Sequence, residues 1–178
     1  MEQEMSWQYI AGYLDGEGCL LLGVVQDHRR SWKSEIDYWN FIPSISVSSY
    51  DYEVLLRIKE FTEKNHISTS HYYLKPKRQN QTKRPARLSF NGYKNVKNVI
   101  DKIYPYSIAK KEQYRLYYQI YDLLNQRERR GLHRNTMWDK ITWLRVIKLV
   151  DEINSLKSRG HAGRIWYPYF SEKWKMKI

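Results

Sequence analysis

The stretch YIAGYLDGEGCL (residues 9–20) begins as an apolar helix and ends in two carboxylates, Asp15 and Glu17, set among three glycines. A helix dipole is negative at its C-terminal end and disfavours acids there. A breach of a local rule without visible compensation is a place to look for function. An ordinary structural account also exists. Gly16 and Gly18 would take left-handed conformations that stop the helix, leaving both acids in a solvated turn.

A second group of residues is cationic. QDHRRSWK (26–33) holds Arg29, Arg30 and Lys33. KPKRQNQTKRPAR (75–87) holds Lys75, Lys77, Arg78, Lys83, Arg84 and Arg87. The whole chain of 178 residues carries a net charge of +12, with an isoelectric point near 9.6. A basic domain of this size is suited to an acidic partner, and nucleic acid leads that list. Sixteen Tyr and seven Trp suit a packed core and could also stack on bases.

Other chemistries lack their residues. There is no G-x-S-x-G nucleophile turn and no G-x-x-x-x-G-K-[ST] phosphate loop. His28, His66, His71, His133 and His161 are scattered without metal-ligand spacing. The single Cys19 makes no internal disulfide and no multi-cysteine zinc site. No run of 18 apolar residues is present, and Glu2 and Glu4 stand where a signal peptide needs base. An intracellular protein is the expectation.

The elements that must position these groups follow from periodicity. Ser6 is a helix N-cap, and residues 7–14 form a short apolar helix. Residues 18–26 read as a strand, and 39–49 as an alternating one. Asp51 caps an amphipathic helix at 52–61. Strands at 68–77 and 86–92 flank the second basic connection, and helices follow at 93–103, 110–124 and 138–157. The aromatic tail from Gly160 has no pattern that assigns an element. The order is α–β–β repeated, which predicts an α+β fold: an antiparallel sheet with helices on one face and further helices after it.

Such strands leave one polar face. The second strand shows Asn40, Ser44, Ser46 and Ser48 there, the third Tyr73, Lys75 and Lys77, and the fourth Arg87, Ser89 and Asn91. In the first strand Leu20, Leu22 and Val24 point to the core, leaving Leu21 and Val25 outward with Cys19 and Gly23. Strand ribbons fit a DNA major groove, where polar side chains read base edges, apolar ones touch thymine methyls and lysines meet phosphates.

IAGYLDGEG (10–18) resembles the LAGLIDADG motif of homing endonucleases. Ala11, Gly12, Asp15 and Gly18 match it, the other positions are apolar or small exchanges, and Glu17 stands in place of an aspartate. The resemblance implies an αββαββα fold, a saddle-shaped antiparallel sheet in a single domain with its core at about 6–125 and accessory helices and tail at 126–178. It implies that motif helices pack in pairs through the small residues Ala11, Gly12 and Gly16. The paired acidic ends would then hold a divalent metal, since Mg²⁺ takes hard oxygen ligands, water and substrate phosphate. Glu17 would be the metal ligand and the Gly16 carbonyl another. Asp15, also a catalytic-site residue, would orient the helix ends. Mg²⁺ would be the cofactor, Ca²⁺ a non-catalytic substitute, and Mn²⁺ would support cleavage.

NGYKNV and RGHAGR lack paired acids, so the chain has one motif. In this family that implies a homodimer on a near-palindromic DNA site. The family's lysine after an aromatic-proline turn falls on Lys110 in YPYSIAKKEQ (104–113), with Lys111 beside it. Its polar or basic residues after the second strand fall on Ser49 and Glu53. The implied activity is Mg-dependent, site-specific hydrolysis of double-stranded DNA by an intron-encoded nuclease. The alternative is a non-cleaving relative, an RNA maturase that binds intron RNA or a DNA-binding regulator. The acid retained at Glu17 favours the enzyme.

Overall fold

Ser6 opens the first helix as its residue type predicts: its hydroxyl accepts the Tyr9 N–H at 3.2 Å. The helix, α1 (Trp7–Glu17), runs past Leu14 and takes in Asp15, Gly16 and Glu17. Neither Gly16 nor Gly18 adopts the left-handed conformation expected of a stop. Gly18 is extended at φ −76°, and among the described residues Gly92, at φ 86°, is the one glycine with positive φ. Gly18 is needed for room. A Cβ there would lie 2.6 Å from the Leu14 carbonyl oxygen, which accepts the Gly18 N–H. The computed structural model describes residues 4–26, 39–73, 85–129, 140–157, 165–176 and 178.

The chain continues through β1 (Gly18–Gln26), β2 (Trp39–Ser49), α2 (Tyr52–Lys64), β3 (Ser70–Tyr73), β4 (Ala86–Asn91) and α3 (Tyr93–Ile103). Asp51 caps α2 as expected, accepting the Val54 N–H at 3.3 Å. The four strands form one antiparallel sheet in the order β1-β2-β4-β3. Leu20, Leu22, Val24, Ile45, Val47, Leu88 and Phe90 line its buried face. Ile10, Ala11 and Leu14 of α1, Leu55 and Ile58 of α2, and Val96, Val99, Ile100 and Ile103 of α3 complete this core. This is the expected α+β order, αββαββα, closed by α3 and followed by α4 (Lys111–Arg129).

The chain divides into two compact units, Met1–Lys111 and Glu112–Ile178. The second unit holds most of α4, α5 (Lys140–Ser155) and α6 (Tyr167–Trp174). Within the tail that carried no pattern, α6 is docked by its aromatics. Phe170 is wholly buried, edge-on to Trp143 at 5.8 Å, and stacks on Trp166. Asp151 of α5 accepts the N–H groups of Trp166 and Tyr167, at 2.9 and 2.7 Å, and so caps α6. Burial pushes the Asp151 carboxyl above its ordinary pKa, against the pull of those two bonds. Among the described residues no helix is long and apolar enough to cross a membrane.

Candidate active site and nucleic-acid face

The end of α1 and the turn at residues 107–110 exchange charged caps. Asp15 Oδ1 accepts from Ser107 Oγ at 2.6 Å and from the Lys110 N–H at 3.3 Å. Its Oδ2 accepts from the N–H groups of Ile108 and Ala109, at 2.6 and 3.0 Å. In return, Lys110 Nζ donates to the Leu14 carbonyl at 2.8 Å and to the Asp15 carbonyl. The ammonium thus sits on the last carbonyls of α1, where the helix dipole favours a cation. The carboxylate turns away from that dipole to a set of converging donors. An acid at the wrong end of a helix is tolerated because its head group belongs to another turn.

The same contacts set the ionisation of both groups. Burial opposes the charge on Asp15, but the bonds from Ser107, Ile108, Ala109 and Lys110 outweigh it and hold the carboxyl below its ordinary pKa. Burial also pulls the Lys110 ammonium below its ordinary value, partly offset by the charges of Asp15 and Glu17.

Glu17 is different. It is exposed, and no hydrogen bond or ion pair holds it among the described residues. Gly16 is exposed beside it. Those residues contain no group of three His, Cys, Asp or Glu that could enclose a metal ion. An exposed carboxylate next to a helix-end carbonyl nevertheless fits Mg²⁺, which keeps several waters and completes its shell with substrate phosphate. Asp15 does not fit as a ligand, since both of its oxygens are taken.

The sheet's outer face is ordered by register, because residues paired directly across strands share a face. One row is Cys19–Ser46–Ser89–Ser70. On one side lie Leu21–Ser44–Asn91, Gly23–Ile42 and Val25–Asn40. On the other lies Ser48–Arg87. Arg87 Nε donates to Ser48 Oγ at 3.1 Å.

A family model for LAGLIDADG endonucleases matches residues 10–121, more than half of the chain. The chain belongs to the LAGLIDADG endonuclease family. No curated protein matches it. Among solved structures, it is similar to the homing endonuclease I-CvuI in complex with the I-CreI target, at 16% identity and TM-score 0.67, covering 97% of this chain and 96% of that one. It is similar to the archaeal intron-encoded homing endonuclease I-Vdi141I complexed with DNA, at 18% identity and TM-score 0.64, covering 95% and 96%. It also matches I-SmaMI bound to cleaved DNA, at 14% identity and TM-score 0.61. There it covers 97% of this chain but 48% of that one.

With the LAGLIDADG fold established, the expected site residues sort by position. Asp15 and Lys110 meet directly, and Gly16 and Glu17 continue the same helix end; Lys111 lies over the Tyr104 ring instead, at 5.4 Å. Gly12 and Gly16 are exposed, and a Cβ added at either would meet nothing within 4 Å. Ala11 is a correction: it is wholly buried in the chain's own core, so it offers no surface to a second copy. In register, Tyr73 pairs with Ala86 and Tyr72 with Arg87. Asn40 is exposed and Ser44, Ser48 and Arg87 are half-buried on the outer face, but Ser46 and Ser89, both 6% exposed, form a low row between taller ones. Leu21 and Val25 are outward as expected. Arg29, Arg30, Lys33, Lys75, Lys77, Arg78, Lys83 and Arg84 lie outside the described residues.

Two participants escaped the sequence reading. Ile42, 51% exposed, joins Leu21 and Val25 in an apolar patch on the outer face. The alternation that places Asn40 and Ser44 there already carried that signal. Ser107 had none, because its partner lies 92 residues away.

Proposed function

We propose that this LAGLIDADG protein is a site-specific DNA endonuclease that cuts both strands of a near-palindromic site as a homodimer, with a divalent cation. One observation carries the reading. Of the two motif acids, Asp15 is fully engaged in holding the helix end, while Glu17 is exposed and unengaged among the described residues. Structure has one acid and chemistry keeps the other. The DNA complexes of I-CvuI and I-Vdi141I support the substrate class, and the Mg and Ca of the I-CvuI structures support the cofactor. The match to about half of the I-SmaMI chain, and to nearly all of I-CvuI, supports two copies per active unit.

The residues divide the work. Glu17 and the Gly16 carbonyl would hold Mg²⁺, which when bound supplies Lewis-acid activation of water and steadies the leaving 3′ oxygen. Asp15 and Lys110 fix the end of α1 against the turn at 107–110, so the Glu17 carboxylate is presented from a rigid base. A lysine ammonium has three donors, and two are spent on carbonyls. The third can meet solvent or the charge that develops on phosphate. The outer face of the sheet supplies the reading surface: Asn40 and Ser44 for base edges, and Leu21, Val25 and Ile42 for thymine methyls. Gly12 and Gly16 let the α1 helices of two copies approach closely.

The test begins with selection of a cleaved site from a randomised DNA library. Glu17→Gln keeps size and hydrogen bonding but removes ligand charge. It is expected to bind the selected site in Ca²⁺ at least as tightly as the parent and to leave it uncut in Mg²⁺. Cutting at the parental rate would remove Glu17 from the site. A parent protein that binds DNA but cuts nothing would mark a binding protein.

A further inference from the structure

The row Ser48–Arg87 leads back to the acid. β1 begins with Gly18 paired to Val47, and Cys19 faces outward opposite Ser46 and Ser89. Glu17, the last residue of α1, immediately precedes Gly18, and the row Gly18–Val47–Leu88 is followed at the same end by the pair Ser48–Arg87. Glu17 and Arg87 therefore each lie one residue along the chain from that row, at the same end of it. Neighbouring strands lie about 4.8 Å apart, so the lines of β1 and β4 are separated by roughly 10 Å. A phosphate between them lies within reach of a carboxylate-held cation from one side and a long guanidinium from the other.

Arg87 is poised for that position. Its Nε is bonded to Ser48 on the intervening strand, which leans the side chain from β4 toward β1. No other hydrogen bond or ion pair engages its guanidinium among the described residues, so both Nη groups are open. The end of β2 and the start of α2 hold no cation: Ser49 Oγ accepts the Asp51 N–H, and Glu53 is acidic.

We propose that Arg87, oriented by Ser48, is a catalytic residue that binds a non-bridging oxygen of the reacting phosphate and stabilises the charge developing there. This rests on the nuclease reading above. A planar fork with two open donors suits phosphate, and a donor fixed before the reaction acts at little reorganisation cost. Ser48 is a positioning residue.

Single-turnover cleavage of the selected site in Mg²⁺, binding in Ca²⁺ and cleavage preference on a randomised pool are measured for the parent, Arg87→Gln, Arg87→Lys and Ser48→Ala. Arg87→Gln is expected to slow the cutting step about 100-fold or more, the scale of losing one transition-state donor. Its binding should stay within a few-fold and its base preference unchanged. Arg87→Lys keeps the charge without the fork and should fall between the two. Ser48→Ala should slow cutting about tenfold or less, with melting temperatures unchanged. Parental cutting by Arg87→Gln overturns the proposal. So does a preference relaxed at one base-pair position, which would make Arg87 a base reader. Lost cutting together with a lowered melting temperature in both Arg87 variants would make it structural. Failure of the parent itself to cut any DNA is a separate result that removes the nuclease reading, and this proposal with it.

Discussion

Asp15→Asn separates holding the helix end from doing chemistry there. Four donors converge on the Asp15 carboxylate, from Ser107, Ile108, Ala109 and Lys110. An amide keeps one acceptor oxygen but turns its NH₂ toward N–H donors. Losing a helix-type cap costs about 0.5–2 kcal/mol, and losing hydrogen bonds to a charged group about 1.5–3 kcal/mol. The carboxylate is only part-buried, so solvent replaces some of these bonds, and a loss of about 2 kcal/mol is expected. In a chain of this size that lowers the melting temperature by about 4–8 °C. The pH dependence has a definite sign. The folded pKa of Asp15 lies below its unfolded value, so its contribution is complete above the ordinary carboxylate range. It is lost as pH falls through the folded pKa. The gap between parent and variant should therefore be widest near neutrality and close in acid. The assay is thermal melting followed by circular dichroism across that range, beside DNA cleavage at 25 °C. Asp15→Asn should lower both melting temperature and cleavage, whereas Glu17→Gln should abolish cleavage with melting unchanged. Equal melting of Asp15→Asn and parent at pH 7, or a gap that ignores pH, would refute the reasoning.

Two further outcomes follow from the glycines of α1. Gly18→Ala drives a Cβ to 2.6 Å from the Leu14 carbonyl oxygen, so it should destabilise by about 1–3 kcal/mol, read by urea unfolding. The Cβ of Gly12→Val meets nothing within 4 Å in the isolated chain, and the change removes a helix-weakening glycine, so the monomer should melt no lower. The same side chain should hold two α1 helices apart, and sedimentation with DNA in Ca²⁺ should show the dimer lost; a dimer that persists places the interface elsewhere.

Local pattern determined much of this protein. The caps at Ser6 and Asp51, the apolar stripes of α2 and α3, the apolar run of β1 and the alternation of β2 depend on neighbours within a few residues, so they are legible without a fold. The motif at 10–18 marked the helix end that matters, and the acid at Glu17 that stays exposed. Tertiary structure decided what local pattern leaves open. Ala11 and Gly12 are adjacent and both small, yet one fills the core and one faces out, since helix rotation against the sheet sets which side is buried. Tyr72 and Tyr73 are equivalent by residue type, and only the register with β4 says which of them pairs with Arg87. Ser46 and Ser89 look like their exposed neighbours, but a residue's depth depends on the heights of the rows around it. Tyr167–Trp174 of the tail forms a helix because α5 offers Asp151 as its cap and Trp143 as its seat. Above all, Asp15 and Glu17 are two like acids two residues apart. Their different roles come from a turn more than 90 residues further along the chain, whose donors reach one and leave the other free.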